Sequence, residues 1–508
     1  MNKEDFKIMD KNNQNAQPSV PEMSAEDIFT QRVNKLEEWR NVGIEPFGKA
    51  FDCTGRISEV RASFVPETEQ HATAAGRVTA YRTMGKSIFA DIKDSSGRIQ
   101  LYVHKDNLGE DAFALFKKID IGDIIGVEGK LFTTRTGELS LKISKFELLS
   151  KSLRTLPEKW HGLTDIEQIY RQRYLDLIMN EKSRDVFKKR FAIISEIRRF
   201  LADKGFTEVE TPMLQYIAGG AAAKPFETFY EALHAKMFMR IAPELYLKRL
   251  LVGGFEKIYE LNRNFRNEGM SRKHNPEFTM IEIYQAFGDC RTMMNLIEGL
   301  VTTAAQNVLG TLKIEFADGK VIDLTAPWRR VDYDDLVKEK AGADWFDVAS
   351  AERVERAKKM GLHIEPGFQD FEVTHEVYEK LIESTLIQPT FVTRLPSVLV
   401  PLAKACADDK NYVDVFELEI NGQELAPGYS ELNDPVEQRK RFEEQARRAP
   451  QGAKEGSIDE DFLAALEYGM PPAGGMGIGI DRLVMLLTAS DSIRDVILFP
   501  HLKPMHKN

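Results

Sequence analysis

These 508 residues predict an α+β chain of two or three domains, and three observations carry that expectation. Short strands with two-residue alternation follow one another between residues 72 and 150, with no long helix among them. A helix over 184–204, ended by Gly205, then leads into a strand closed by Pro212. Beyond it, hairpins over 265–284 and 417–424 concentrate arginine, histidine, aromatic and carboxylate side chains. The hydrophobic share, 43%, is enough for sizeable cores.

Composition narrows the function classes. A net charge of −10 argues against a protein that coats nucleic acid, although a local basic surface can still meet an RNA. Cys53, Cys290 and Cys406 form no Cys-x-x-Cys pair, so neither a disulfide framework nor a zinc site is expected, and the chain reads as reduced and cytoplasmic. There is no apolar run of about 18 residues and no apolar signal core at the start, so no membrane association is expected. Residues 1–20, rich in Asn, Gln and Lys, read as a loose tail.

Taken in order, Ser24 to Asp27 supplies a capping-box helix start, with Phe29, Val33 and Leu36 on one face up to Gly43. Five strands follow, over 75–80, 87–92, 98–103, 123–130 and 138–146, with a helical stretch over 111–118 before the fourth. That is the pattern of a small OB-type barrel. Alternation sends Ile88, Ala90, Ile92, Ile99, Leu101 and Val103 inward and leaves Phe89 and Gln100 outside with Arg98 and Tyr102. An outward phenylalanine beside a glutamine suits a single-stranded base, one residue stacking and the other reading its edge. A ring covered by a neighbouring loop is the plainer alternative.

The segment 265–284 is nucleotide chemistry written on a hairpin. Arg266 offers a forked cation for an α-phosphate, His274 a donor for a terminal phosphate, and Phe278 a flat ring for a purine. Phe278, Met280, Glu282 and Tyr284 share one strand face, so a carboxylate and a phenol lie beyond the ring, as a pocket for a small cationic group requires. An amphipathic hairpin with solvated charges would not need Glu282 and Tyr284 there. Glu417 and Glu424 flank an Asn421-Gly422 turn, and carboxylates on one such hairpin can share Mg²⁺.

The run Asn-Arg-Asn-Phe-Arg-Asn-Glu-Gly to His-Asn-Pro-Glu-Phe-Thr, residues 262–279, resembles motif 2 of class II aminoacyl-tRNA synthetases, and specifically of the subclass IIb lysyl enzymes. The helix over 184–204 with the strand 206–212 resembles motif 1, whose family role is a dimer interface; a buried helix against a sheet edge would need no second subunit. Gly475-Met-Gly-Ile-Gly-Ile-Asp-Arg482 resembles motif 3, and no βαβ unit follows it that would make it a dinucleotide fingerprint. Tyr170 to Ile178 is similar to the lysyl linker, and Glu417 with Glu424 to the lysyl metal pair. The resemblance runs from about residue 72 to Pro500, with a less recognisable stretch near 310–370.

The resemblance implies a domain order of tail and helix over 1–71, OB-fold anticodon-binding barrel over 72–150, linker over 151–182, and a catalytic domain over 183–508 built on an antiparallel sheet flanked by helices. It implies ATP on Arg266, Glu268, His274, Asn275, Phe278, Glu417 and Arg482, with Arg266 and Arg482 catalytic and Mg²⁺ on Glu417 and Glu424. L-Lysine would lie among Gly220, Glu244, Arg266, Glu282, Tyr284, Tyr429 and Glu431, and the central anticodon base of tRNA(Lys) on Phe89 and Gln100. The activity implied is lysine–tRNA ligation by a homodimer.

Three rival readings fall away. Met270-Ser-Arg-Lys273 is a decoy for the Lys-Met-Ser-Lys-Ser loop of class I synthetases, but no His-Ile-Gly-His partner occurs. A paralogue that lysylates a protein would lack the anticodon barrel, and a regulatory synthetase-like protein would be expected to lose Arg266, Glu417 or Arg482. One departure from the lysyl pattern stands out: Pro427 replaces an asparagine that helps hold substrate, while Arg394 and Val415 stand where Asp and Arg are common.

Overall fold

A computed structural model describes residues 24–157, 165–221, 223–448 and 458–505, so the tail expected over 1–20 lies outside the described residues. The chain divides into two compact units, Met1–Gly162 and Leu163–Asn508.

In the first unit, the helix Ala25–Asn41 opens on the expected capping box, with the Ser24 hydroxyl taking the Asp27 N–H. Its inward face keeps Leu36 but not Phe29. Arg32, Leu36 and Trp39 are buried, whereas Phe29 stays exposed under the Arg154 guanidinium. Arg32 turns inward because its guanidinium donates to the carbonyls of Ile121, Ser152 and Arg154, which satisfies the buried charge. The strands β1 (His71–Met84), β2 (Ser87–Lys93), β3 (Arg98–His104), β4 (Ile124–Thr133) and β5 (Leu139–Ser150) close a barrel in the order β1-β2-β3-β5-β4. Ile88, Ala90, Ile92, Ile99, Leu101 and Val103 all point into its core, as alternation requires. The helix Glu110–Phe116 lies between β3 and β4 and adds Phe113 and Phe116 to that core.

The second unit begins with two short helices, Ile166–Arg171 and Arg173–Met179, in the stretch read as a linker. Arg173 is buried and donates to Asp176 and to the carbonyls of Leu498 and Arg494, so this run is packed structure. The helix Glu181–Asp203 ends in a Schellman motif, with Gly205 at φ +79° and Phe206 N–H donating to the Leu201 carbonyl.

Thereafter the strands are β6 (Thr207–Glu208), β7 (Leu214–Gln215), β8 (Glu227–Tyr230), β9 (Ala235–Met239), β10 (Lys257–Phe265), β11 (Glu277–Ala286), β12 (Lys313–Glu315), β13 (Val321–Asp323), β14 (Arg329–Asp332), β15 (Thr390–Thr393), β16 (Val415–Glu419), β17 (Glu424–Ser430) and β18 (Ala473–Gly479). Eight of them form one sheet in the order β14-β15-β16-β17-β18-β11-β10-β6, antiparallel except at its two edges. β7, β9 and β8 make a separate small sheet.

Helices Glu181–Asp203 and Cys290–Leu309 bury one face of the large sheet, through residues such as Ile197, Ile281, Ile283 and Leu300. That leaves the opposite face, with its charged side chains, for the site. The stretch 310–370 falls partly into a second core, where helices Tyr333–Ala341, Ser350–Lys359 and Asp370–Leu381 surround Trp345. Among the described residues no helix is long and apolar enough to cross a membrane.

Candidate active site and nucleic-acid face

β10 and β11 pair in the register the alternation demands, with Asn264 opposite Phe278 and Glu260 opposite Glu282. Thr279, Ile281 and Ile283 face the helices or the core, so Phe278, Met280, Glu282 and Tyr284 line the open face. Arg266 follows the end of β10, where its backbone N–H donates to the Pro276 carbonyl. Its guanidinium lies 5.2 Å over the Phe278 ring, and its Nε has no hydrogen-bond partner among the described residues. Burial pulls the Arg266 pKa down from its ordinary value, and the nearby carboxylates of Glu268, Glu282 and Glu424 only partly oppose this.

Arg482 reaches the same hairpin from the helix Ile480–Leu487. It donates to the Glu424 carbonyl at 2.6 Å and approaches His274 Nε2 at 3.0 Å. Burial, reinforced by Arg482, lowers the His274 pKa. A neutral ring with its proton on Nδ1 fits both contacts, because Nε2 then accepts from Arg482 while Nδ1 faces the Ser271 hydroxyl at 2.9 Å. Asn275 is differently engaged. It is buried, its amide donating to the Glu277 carbonyl and its oxygen accepting from His501 N–H, which makes it a brace for the loop.

The Asn421-Gly422 turn has positive φ at both residues, +60° and +65°, as the tight hairpin turn needs. A bulge before Glu419 sets Glu417 opposite Pro427 and Glu424 opposite Glu419, so the two expected metal ligands are offset along the hairpin. Burial, then Glu424 and Glu383, pushes the Glu417 carboxyl up to about 8. Glu419, two residues on and on the same strand face, is pushed up to about 9 by burial and Glu417, and its Oε2 has no hydrogen-bond partner. Sequence reading missed Glu383 and Glu419. The i, i+2 spacing from Glu417 was the available signal for Glu419. Among the described residues no set of three His, Cys, Asp or Glu side chains is arranged to hold a metal by itself.

The side chains beyond Phe278 form a buried cluster rich in carboxyls. Glu282 Oε2 accepts from the Tyr284 hydroxyl at 3.0 Å, and Glu244, at the start of the helix Glu244–Val252, accepts from the Tyr429 hydroxyl at 2.7 Å. Lys248 joins them, its Nζ 2.7 Å from Glu244 Oε1 and 2.5 Å from Glu431 Oε2. Burial, then Glu244, pushes Glu282 up to about 8; burial pushes Glu431 up to about 8 although Lys248 opposes it. Burial works against the Lys248 ammonium, but Glu244 and Glu431 outweigh it and raise its pKa.

Two glycines make this geometry sterically possible. At Gly220, φ is +85° and a Cβ would press on Glu244 at 3.1 Å. At Gly475, a Cβ would lie 2.0 Å from Glu431 Oε1 and 2.5 Å from the Tyr284 ring, so β18 must be glycine where it passes the pocket.

Pro427 sits inside β17 without breaking it. Pairing with β18 covers only Gly428 to Ser430, so no ladder bond on that side calls for a Pro427 N–H. Val415 is buried in the core beside this strand, and Arg394 pairs with Asp408 at 2.9 Å over the Tyr412 ring.

On the barrel, Phe89 and Gln100 are half-buried on the outer wall of β2 and β3. Phe89 stands 5.2 Å from Tyr102, whose ring also meets His104 at 6.0 Å and Phe132 at 5.8 Å. The Ser140 hydroxyl donates to Gln100 Oε1 at 3.0 Å and fixes that amide. The result is an aromatic strip beside an oriented amide, longer than the single ring read from the sequence.

Comparison with known proteins agrees with both units. Residues 72–149 match the family described as OB-fold nucleic acid binding domain, and residues 165–503 match tRNA synthetases class II (D, K and N). A protein of Carboxydothermus hydrogenoformans named lysine–tRNA ligase is 52% identical over 480 residues, which covers 94% of this chain and 98% of that protein. One of Syntrophomonas wolfei with the same name is 50% identical over 488 residues, 96% of this chain and 99% of its own. One of Staphylococcus aureus, again so named, is 51% identical over 488 residues, 94% and 98%. With Arg266, Arg482 and the glycine strand of β18 on one sheet face, and an OB barrel before them, this chain belongs to the class II tRNA synthetases of the D, K and N group, within the lysine–tRNA ligase family.

Proposed function

We infer that the chain activates L-lysine with ATP and passes the lysyl group to the 3′ end of tRNA(Lys). The observation that carries this reading is the pocket itself: three buried carboxyls, Glu244, Glu282 and Glu431, with two phenols, at one end of a hairpin whose other end presents Arg266 and His274. A small diamine next to a triphosphate answers both needs, since burying an ammonium costs several kcal/mol unless it is paired and hydrogen-bonded. Glu244 with Gly220 would take the α-amino group, and Glu282, Tyr284 and Glu431 the ε-ammonium. An apolar amino acid would leave these groups unsatisfied, giving rejection on the order of 10⁴.

Activation is in-line attack of the lysine carboxylate on the α-phosphate, with pyrophosphate leaving. No protein nucleophile is needed; positioning and charge neutralisation suffice. Arg266 would grip the α-phosphate, and Arg482 and His274, now facing each other, would turn to the outer phosphates while Phe278 carries the base. The half-buried Glu417 beside Glu424, and the unpartnered oxygen of Glu419, are what a divalent cation would satisfy. Mg²⁺ on Glu417 and Glu424 would supply neutralisation of the phosphate charge. Lysine-dependent ATP–pyrophosphate exchange without tRNA tests the reading. Exchange with lysine, and little with arginine or ornithine, is expected; robust exchange with another standard amino acid and none with lysine would sink it.

On the barrel, Phe89 would stack the central anticodon base while Gln100 reads its edge. Phe89→Ala should weaken tRNA charging by about 1–3 kcal/mol, the worth of one stacked base, and leave exchange nearly intact. Equal damage to both assays would make Phe89 a core residue. A homodimer working in the cytoplasm completes the proposal. Phe191 on the motif 1 helix, and Leu214, Tyr216, Phe229 and Tyr230 around the small sheet, are exposed large hydrophobics of the kind a partner subunit covers.

Pro427 tests how closely this chain keeps the family chemistry. Glu417, Glu424, Tyr429 and Glu431 hold their places on an unbroken β17 hairpin, and Arg266 with ordered water would replace the missing asparagine contact. Pro427→Asn should therefore shift KM for lysine by less than about tenfold, roughly 1.4 kcal/mol, with kcat largely kept. An inactive native protein rescued by Pro427→Asn would mark a divergent paralogue.

A further inference from the structure

Lys248 belongs to none of the synthetase motifs, yet its ammonium sits between two of the carboxyls assigned to the substrate. Its side chain is fully buried, within 2.7 Å of Glu244 and 2.5 Å of Glu431, with Nζ 5.5 Å over the Tyr429 ring. Glu244 comes from a helix and Glu431 from the end of β17, and like charges that close repel unless something stands between them. Lys248 is that counter-ion. Glu431 is confined from the other side by the Gly475 backbone, and neither of its oxygens makes a well-aligned hydrogen bond among the described residues, the approach of Oε2 to Lys248 being an ion pair.

We propose that Lys248 is a positioning residue for amino-acid selection: by clamping Glu244 and Glu431 to one ammonium it fixes the span between the carboxylates that receive the two ammonium groups of the substrate, and so sets the side-chain length the pocket accepts. This rests on the reading that those glutamates bind the two ends of lysine. An ion pair through a fixed cation resists the small shift that would admit a chain one methylene shorter or longer. Hydrophobic contact alone discriminates a methylene by only about 10–200-fold.

The test is exchange by the full-length protein with lysine, ornithine and homolysine. The wild type should reject both analogues by more than about 200-fold in kcat/KM, beyond what hydrophobic contact alone supplies. Lys248→Met should raise KM for lysine and cut the lysine-to-ornithine ratio by at least about tenfold, with KM for ATP within about twofold. A ratio kept within about threefold while KM rises would reduce Lys248 to a neutralising filler and overturn the proposal. Tyr429→Phe removes a hydroxyl that also donates to Glu244 but keeps the Lys248 cation, so it should lower the ratio less than Lys248→Met does; an equal or larger fall would move the length gauge to Tyr429 and overturn the proposal. Should Lys248→Met not fold, the wild type still decides, because acceptance of either analogue within about tenfold of lysine is incompatible with a fixed span. Absence of any lysine-dependent exchange would instead remove the functional reading beneath it.

Discussion

Arg266→Ala is expected to lower kcat for lysine activation by about 10²–10³-fold, the usual cost of removing one preorganised group that meets transition-state charge. Arg266 is the one cation on the β10–β11 hairpin aimed between Phe278 and the carboxylates of Glu268, Glu282 and Glu424. Its Nε has no partner among the described residues, so its donors are not spent on the fold. The backbone bond to Pro276 survives the substitution, which keeps the loop in place. Arg266→Lys should recover little, because a point charge cannot grip two phosphate oxygens at once. Single-turnover adenylate formation, with KM for lysine measured alongside, checks this. A kcat within about fivefold of wild type would show that Arg266 does not meet the developing charge.

Glu282→Gln should raise KM for lysine by about 10²-fold or more, since breaking a buried pair leaves an uncompensated charge worth about 3–5 kcal/mol. The pH dependence gives an independent check. Burial and then Glu244 push Glu282 up to about 8, so below that pH it holds a proton it must lose to receive an ammonium. KM for lysine should therefore fall as pH rises from about 6.5 to about 8.5, with a proton released on binding. Glu282→Gln removes that proton and should flatten the slope. A flat wild-type profile would mean that Glu282 is already ionised in the free pocket.

The barrel was legible because β-branched and small apolar residues alternate with polar ones between glycine turns, and a one-residue slip would have turned every core side chain outward. The hairpins were legible for the same reason, and the Asn421-Gly422 pair fixed one turn by its backbone demands. What period and motif could not show was company from distant segments. Lys248 lies four residues after Glu244 on a helix and reads as an ordinary surface pair; only the arrival of Glu431 buries it. Gly475 was read only as part of a glycine-rich motif, whereas its role is the space it leaves for Glu431 and Tyr284. Asn275 was assigned to ATP by resemblance; the pattern did not show that its amide also braces the loop against Glu277 and His501. Phe29 was placed inward by spacing, and the carbonyls that Arg32 satisfies turned the helix instead. The 310–370 region was less recognisable; part of it joins the main core through Ile314, Ile322 and Trp328, and its helices build a second core around Trp345 that reaches Val415 and Tyr429.

Transfer of labelled lysine to tRNA(Lys) by the purified full-length chain, with ATP and Mg²⁺, is the most direct measurement. Lysine should enter acid-precipitable tRNA, and arginine or ornithine should enter at a rate lower by about 10² or more. Charging with a different standard amino acid in place of lysine, or lysyl-adenylate that forms and never reaches the tRNA, would contradict it.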